Sequence, residues 1–358
     1  MRARKRMTGV AGASVLMLLA VGCGGGPSGT KAAPKASRSV AAAQPVRVET
    51  TSRPATWTDD KKQVHELRIA PKSLARGSEA DFERVRLDDD LKGLVPYYLT
   101  FTYVNTGKEA LHRASLGSEF AVVGADGEPG ERMWLMSNPL ATSSGLPDQC
   151  RKSGSETLAP GASAEACEIF MLAPKQAPTT VSYTDKDGEP VIWQAGDGKA
   201  TGDTDGVLPA GKPTDGLWQD SHERTVTIKA TPKSVKAGTV ADLSHFKLSA
   251  DEKKLVPYYV TVEYRNTGEH DLYPDMQDGV ELRGAGGQQA RKLLLIDIGG
   301  DGVTQCPESV PYKMVKPDAT VVQCSIHMLP KSDRPAVVVF QGKGHGAQPI
   351  TWHATEGE

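Results

Sequence analysis

The sequence predicts an all-β protein built from two tandem β-sandwich domains. Three observations lead there. One stretch occurs twice: Leu94-Val95-Pro96-Tyr97-Tyr98-Leu99-Thr100-Phe101-Thr102-Tyr103-Val104-Asn105-Thr106-Gly107 returns 161 residues later as Leu255-Val256-Pro257-Tyr258-Tyr259-Val260-Thr261-Val262-Glu263-Tyr264-Arg265-Asn266-Thr267-Gly268. Tyr97, Leu99, Phe101 and Tyr103 share one side at a period of two, as do Tyr258, Val260, Val262 and Tyr264. That alternation marks a half-buried strand, and Asn-Thr-Gly closes it in a turn. The chain also holds 37 glycines and 24 prolines in 358 residues and shows no sustained helical stripe. Finally, each copy carries roughly six to eight short strand signals with turn residues at close spacing, the pattern of a sandwich.

The chain opens on an export signal. Arg2, Arg4, Lys5 and Arg6 form a basic region, and Val10 to Val21 is an apolar run too short to span a bilayer comfortably. Leu19-Ala20-Val21-Gly22-Cys23 resembles a lipobox, although Ala20 stands where Leu is usual. The resemblance implies that residues 1–23 are a lipoprotein signal peptide and that Cys23 is diacylated as the mature N-terminus. An ordinary secretory signal is the alternative, and both export the protein. Residues 24–56, rich in Gly, Ala, Pro, Ser and Lys, read as a flexible tether.

The repeat extends well beyond its opening strand. Trp57-Thr58-Asp59 matches Trp218-Gln219-Asp220, and Pro71-Lys72-Ser73-Leu74 matches Pro232-Lys233-Ser234-Val235. Cys167-Glu168-Ile169-Phe170-Met171-Leu172 pairs with Cys324-Ser325-Ile326-His327-Met328-Leu329, and Pro190-Val191-Ile192-Trp193 with Pro349-Ile350-Thr351-Trp352. The domains are therefore placed at 57–193 and 218–353, with residues 194–217 as linker. Copies of roughly 135 residues suit one core each.

Within a copy, strands are expected over 64–70 or 225–230, then a capped helical turn at Ser78-Glu79-Ala80-Asp81 or Thr239-Val240-Ala241-Asp242. After the signature strand come strands near 119–123 and 132–136, or 280–283 and 292–296. Cys167–Leu172 or Cys324–Leu329 is a further strand. The last hairpin joins 180–183 to 191–193, or 336–340 to 350–352.

Removing the signal takes away four cations, so the net charge moves from −2 to −6. A mildly acidic chain offers no footprint for nucleic acid, and membrane attachment falls to the acyl chains. Of five cysteines, lipid on Cys23 leaves two per copy: Cys150 and Cys167, then Cys306 and Cys324, spaced 17 and 18 residues apart. Four cysteines allow three pairings, and the in-register spacing favours Cys150–Cys167 and Cys306–Cys324. Such bonds persist in an exported compartment. Free thiols or a metal site are the alternative, and no Cys-x-x-Cys pair occurs.

The lipobox, together with copies carrying Val-Pro-Tyr-Tyr and Tyr-x-Asn-Thr-Gly, resembles the immunoglobulin-like, telokin-type sandwich domains of exported actinobacterial lipoproteins. The resemblance covers nearly all of residues 57–353. It implies fold and address, and it carries over no catalytic residue.

No catalytic motif stands out. Gly-x-Ser-x-Gly, the P-loop and His-Glu-x-x-His are absent, His65-Glu66 and His222-Glu223 each lacking the second His. Gly342-Lys343-Gly344-His345-Gly346 reads as a hairpin turn. Asp185-Lys186-Asp187-Gly188-Glu189 opens like a calcium loop, but Gly196 stands where the closing Glu belongs. His327-Met328 raises copper, yet the first copy has Phe170-Met171 there, so a core His is the plainer reading. Met133, Met136 and Met171 read as core filling, and Asp88-Asp89-Asp90 as a solvated turn. Trp57, Trp193, Trp218 and Trp352 read as core plugs, or more pointedly as an aromatic platform.

The function expected is a lipid-anchored, non-enzymatic binding or scaffold module on the outer face of the cell membrane. It needs no cofactor or metal, its partner is an envelope protein or glycan, and it does not bind nucleic acid. The alternatives are an envelope enzyme or accessory subunit, with a site in segments 108–149 or 269–305 of one copy, and a copper- or zinc-handling lipoprotein.

Overall fold

The strand that occurs twice lies at the centre of the larger sheet in each copy. The computed structural model describes residues 43–83, 85, 87–134, 150, 157–186, 188–196, 206–294, 303–306 and 313–354. Cys23, Met136 and the whole signal segment fall outside them. The described residues belong to one compact unit.

Eleven strands come from the first copy: β1 (Gln44–Val46), β2 (Arg53–Thr58), β3 (Val64–Arg76), β4 (Val95–Asn105), β5 (Leu111–His112), β6 (Phe120–Gly124), β7 (Glu131–Met133), β8 (Thr157–Leu158), β9 (Ser163–Leu172), β10 (Pro178–Tyr183) and β11 (Val191–Gln194). The second copy gives β12 (Val207–Leu208), β13 (Thr214–Gln219), β14 (Thr225–Ala237), β15 (Val256–Asn266), β16 (Val280–Gly284), β17 (Arg291–Leu293), β18 (Thr320–Leu329), β19 (Pro335–Phe340) and β20 (Ile350–His353). The fold is all-β, and every ladder is antiparallel except β12 on β20.

In the first copy a sheet of order β1-β3-β4-β9-β7, with β2 also on β3, faces a sheet of order β11-β10-β6. Between them lies one core, because the odd residues of β4 point inward: Tyr97, Leu99, Phe101 and Tyr103 pack with Phe120, Val122, Val181, Tyr183 and Trp193. The rings of Phe101 and Phe120 stand 4.1 Å apart. In the second copy β13-β14-β15-β18-β17 faces β12-β20-β19-β16, enclosing Tyr258, Val260, Val262, Tyr264, Phe340 and Trp352.

The central strand is more deeply buried than a half-exposed strand should be. Tyr98, on the opposite face of β4, is 1% exposed, beneath Phe82, Met133, Ile169 and the Cys150–Cys167 bond. Its hydroxyl donates to Asp81 Oδ2 at 2.7 Å. Asp81 also closes the expected helical turn, accepting from the Ser78 backbone at 3.0 Å, so one carboxylate caps the turn and anchors the tyrosine. The second copy repeats the device with Thr239, Asp242 and Tyr259. Cys306–Cys324 lies on the matching face of β18. Both disulfides therefore close within their own copy, as the spacing favoured, and they belong to an oxidising, extracytoplasmic compartment. No described helix is long and apolar enough to cross a membrane.

Two boundaries read from composition need correction. Residues 44–56, assigned to the tether, hold β1 and most of β2, and the Trp193 indole donates to Thr51 O at 2.7 Å. Residues 207–208 and 214–217, assigned to the linker, lie in β12 and β13. These are short edge strands rich in Pro, Thr and Gly, with hydrogen bonds to one neighbour only, so no apolar alternation marks them.

The two copies meet back to back. The outer face of β6 and β10 lies on the outer face of β16 and β19, and the contacts are reciprocal. Ala125 of the first copy packs with Val337 and Val339 of the second. At the matching places, Thr180 Oγ1 donates to Ala285 O and Ser182 Oγ donates to Gly286 O, the latter at 2.8 Å. The sheet registers make Thr180 the counterpart of Val337, and Val123 that of Arg283. Such mutual use of one face is the logic of a two-fold dimer, here within a single chain. One half of the seam is apolar and the other is hydrogen-bonded. Ion pairing from Arg283 to Glu128 at 2.6 Å, and donation from the Ser332 backbone to Glu189 at 3.0 Å, close its rim.

Candidate functional site at the open edge of the first copy

Beside this seam the first copy has an open side, between the edge strands β2 and β11. The β2 edge is partly taken up by side chains. Pro54 has no N–H to offer, Thr56 O accepts from the Tyr183 hydroxyl at 2.8 Å, and Thr58 N donates to Asp185 Oδ1 at 3.0 Å. Asp185 also accepts from the hydroxyls of Thr56 and Thr58 at 2.9 and 2.8 Å, and from Lys186 N at 2.9 Å. Burial alone would raise its pKa, but these donors outweigh it and hold the carboxyl below the usual range. In the stretch that opened like a calcium loop, Asp187 lies outside the described residues, Gly188 N turns back to donate to Asp185 O at 2.9 Å, and the Asp185 carboxylate staples two sheets together.

The β11 edge is different. Ala195 N donates to Thr179 O at 2.8 Å, so alternate residues of β11 bond to β10 while Ile192 and Gln194 present their N–H and C=O outward. Gln194 O accepts from Glu49 N at 2.8 Å. Among the described residues no group bonds the N–H or C=O of Ile192. Those two groups border a cleft of about 500 Å³ lined by Glu49, Arg53, Pro54, Pro190, Ser332 and Arg334. A neighbouring cleft of about 620 Å³ shares Pro54, Pro190, Val191 and Ser332 and continues to Leu67, Arg68 and Tyr183. Residues from both copies thus line one side of the molecule.

The other candidates fall elsewhere. Trp193 and Trp352 are fully buried, Trp57 is 8% exposed and Trp218 3%, so they are core plugs and form no platform. Gly342, Gly344 and Gly346 have φ of 62°, 104° and 83° in the loop between β19 and β20, as a glycine turn requires. Asp89 and Asp90 begin a short 3₁₀ turn, where Asp89 pairs with Lys92 on the surface. Met133 and Met171 pack in the cluster that covers Tyr98.

His327 is buried in the second copy. Its Nε2 shares a 2.9 Å hydrogen bond with Ser325 Oγ, and its Nδ1 has no partner among the described residues. Burial first, and the nearby Lys292 ammonium second, pull its pKa down to about 3, so the ring is neutral. Lys292 donates to Gln277 O, and burial lowers its pKa too. In the first copy Arg132 and Glu168, the counterparts of Lys292 and Ser325, pair at 3.0 Å, and Phe170 takes the place of His327. Met328 points to the opposite face of β18, beside Ile326, so His327 and Met328 do not converge on one ion. Among the described residues no group of three His, Cys, Asp or Glu side chains is placed to hold a metal.

Sequence reasoning missed the open edge. Only the parity of the β10–β11 ladder reveals that Ile192 faces outward. Comparison of the chain with protein-family models, with curated proteins and with solved structures returns no match.

Proposed function

We propose that the chain is an exported, lipid-anchored surface protein whose two copies, each an immunoglobulin-like sandwich, act together as a non-enzymatic binding or scaffold module. The observation that carries this reading is the N–H and C=O of Ile192 on the β11 edge, unpaired among the described residues, in a cleft lined by residues of both copies. Reciprocal packing of the copies presents that cleft on a fixed body, and preorganisation of this kind favours recognition. The lipobox ending at Cys23 and the disulfide in each copy support the extracytoplasmic address.

The test has two arms. Membrane fractionation with and without Cys23→Ala, or with and without globomycin, reads the anchor, and an unchanged distribution removes it. Crosslinking in cells followed by capture of the full-length chain reads the module. A reproducible envelope partner supports binding, whereas turnover of a cell-wall substrate by the purified chain replaces this reading with an enzyme.

A further inference from the structure

We propose that the free edge of β11 docks an extended polypeptide segment of a partner protein, which adds a strand parallel to β11 beside Ile192. The proposal rests on the binding-module reading above and names its partner class. An outward N–H and C=O from one residue of a strand are complementary to another backbone, and this is how strand addition recognises peptides. The facing strand offers less, since Pro54 has no N–H, Tyr183 occupies Thr56 O and Asp185 occupies Thr58 N.

The second copy shows what such an edge accepts. Thr351 of β20 is the counterpart of Ile192, and β12 runs parallel to it, with Val207 opposite Thr351 and Leu208 opposite Trp352. Val207 is fully buried against Val337 and Val339. The chain that would play this part in the first copy goes elsewhere. Val46 pairs with Leu74, and Val48 bridges to Ala195, beyond the free edge. At the Ile192 position the edge is thus filled by the chain's own Val-Leu in one copy and left open in the other, where residues 47–49 cover only the end of β11 from Gln194 to Gly196.

Charge defines the partner further. Arg53 is held by Glu49 at 2.7 Å, but Arg334, exposed on the rim of the cleft, forms no salt bridge among the described residues. The fitting segment is short and extended, with an aliphatic residue at the pairing position and an acidic side chain within reach of Arg334.

The test pans a display library of linear dodecapeptides against the full-length chain. Enriched peptides are expected to combine an aliphatic run with an acidic residue. Their affinity should fall at least tenfold against Arg334→Glu, a surface change that leaves the core intact. Ile192→Pro removes the edge N–H and should abolish binding. Because that variant risks misfolding, the same peptides are also made with single backbone N-methyl groups, and one such position should abolish binding to the unaltered protein. Peptides that bind the Arg334→Glu and parent chains equally, or tolerate every N-methyl group, overturn the proposal. So does failure to enrich any peptide, or a concentration-dependent dimer lost on Arg334→Glu, which would make a second copy of the chain the occupant. Crosslinking that still captures an envelope partner in any of these cases leaves the binding-module reading standing while this site falls.

Discussion

Gly287 of the second copy presses on Val123 of the first: a Cβ placed on Gly287 would lie 2.8 Å from Val123 Cγ2. At the matching turn, a Cβ on Gly127 would lie 3.2 Å from Cβ of Arg283, the counterpart of Val123, and 2.9 Å from Val337 Cγ2. Both glycines have positive φ, 80° and 74°. The seam is tight at both turns because neither carries a side chain.

Gly287→Ala should therefore destabilise the protein on two counts. The left-handed backbone costs a non-glycine residue about 1–2 kcal/mol, and overpacking against Val123 adds about 1–3 kcal/mol. The denaturant midpoint should drop clearly, while the dependence on denaturant stays as in the parent. A midpoint equal to the parent's would show that the two copies do not depend on this contact.

The disulfides should act locally and separately. Cys150–Cys167 and Cys306–Cys324 close loops of 17 and 18 residues, and a loop of this size contributes about 3 kcal/mol. Replacing either pair by serine is expected to lower stability by about that amount, and replacing both to lower it by roughly the sum. Peptide mapping without reduction should recover only fragments linked inside a copy. A fragment joining Cys150 or Cys167 to Cys306 or Cys324 would refute the arrangement.

Much of this architecture was legible because β4 and β15 alternate cleanly and their aromatic residues enter one core. The capped turns were legible too, since Ser78 with Asp81 and Thr239 with Asp242 carry the pattern in the chain itself. The seam was not. Several of its residues, Thr180, Ser182, Ala125, Gly286 and Gly287, are small or hydroxylated and read as a solvent face, while Val337 and Val339 sit in an unbroken apolar run, Val337 to Phe340, that does not tell the seam face from the core face. Pro45 and Pro54 hid β1 and β2, because edge strands tolerate proline and composition then resembles a tether. The free edge at Ile192 was beyond reach for a different reason: a residue's outward N–H is fixed by the register of its neighbour, and nothing local encodes it.

Asp333 gives the seam a pH response. It is 4% exposed; its Oδ1 accepts from Gly286 N at 3.1 Å and Arg334 N at 2.7 Å, while Oδ2 has no partner among the described residues. Burial raises its pKa above the ordinary 3.8, more than these donors lower it. A carboxyl with a raised folded pKa binds its proton more tightly in the fold, so its contribution is greatest at low pH and is lost as pH rises through the folded value. Asp333→Asn keeps the accepting oxygen and removes the buried charge. Urea unfolding should find this variant at least as stable as the parent at pH 7, with the loss above pH 4 reduced. A variant weaker at pH 7 by more than about 1 kcal/mol would show that the charge itself is needed.

His327 should work in the opposite sense. Its folded pKa, about 3, lies below the ordinary 6.5, because the buried ring between Ser325 and Lys292 resists a proton. Between those values the unfolded chain binds more protons than the folded one, so stability falls as pH drops from 6.5 toward 3. The first copy already carries the replacement, since Phe170 is packed at the matching position of β9. His327→Phe removes a ring nitrogen that has no partner among the described residues and fills the same space with carbon, although Ser325 loses its hydrogen-bond partner. The expected result is a change of less than about 1.5 kcal/mol at pH 7 and a flatter stability profile between pH 6.5 and 4. Thermal unfolding across that range separates the outcomes. A variant that keeps the parent's full acid sensitivity would place the titrating group elsewhere, and one that collapses at pH 7 would mean that the Ser325–His327 pair holds β18 in place.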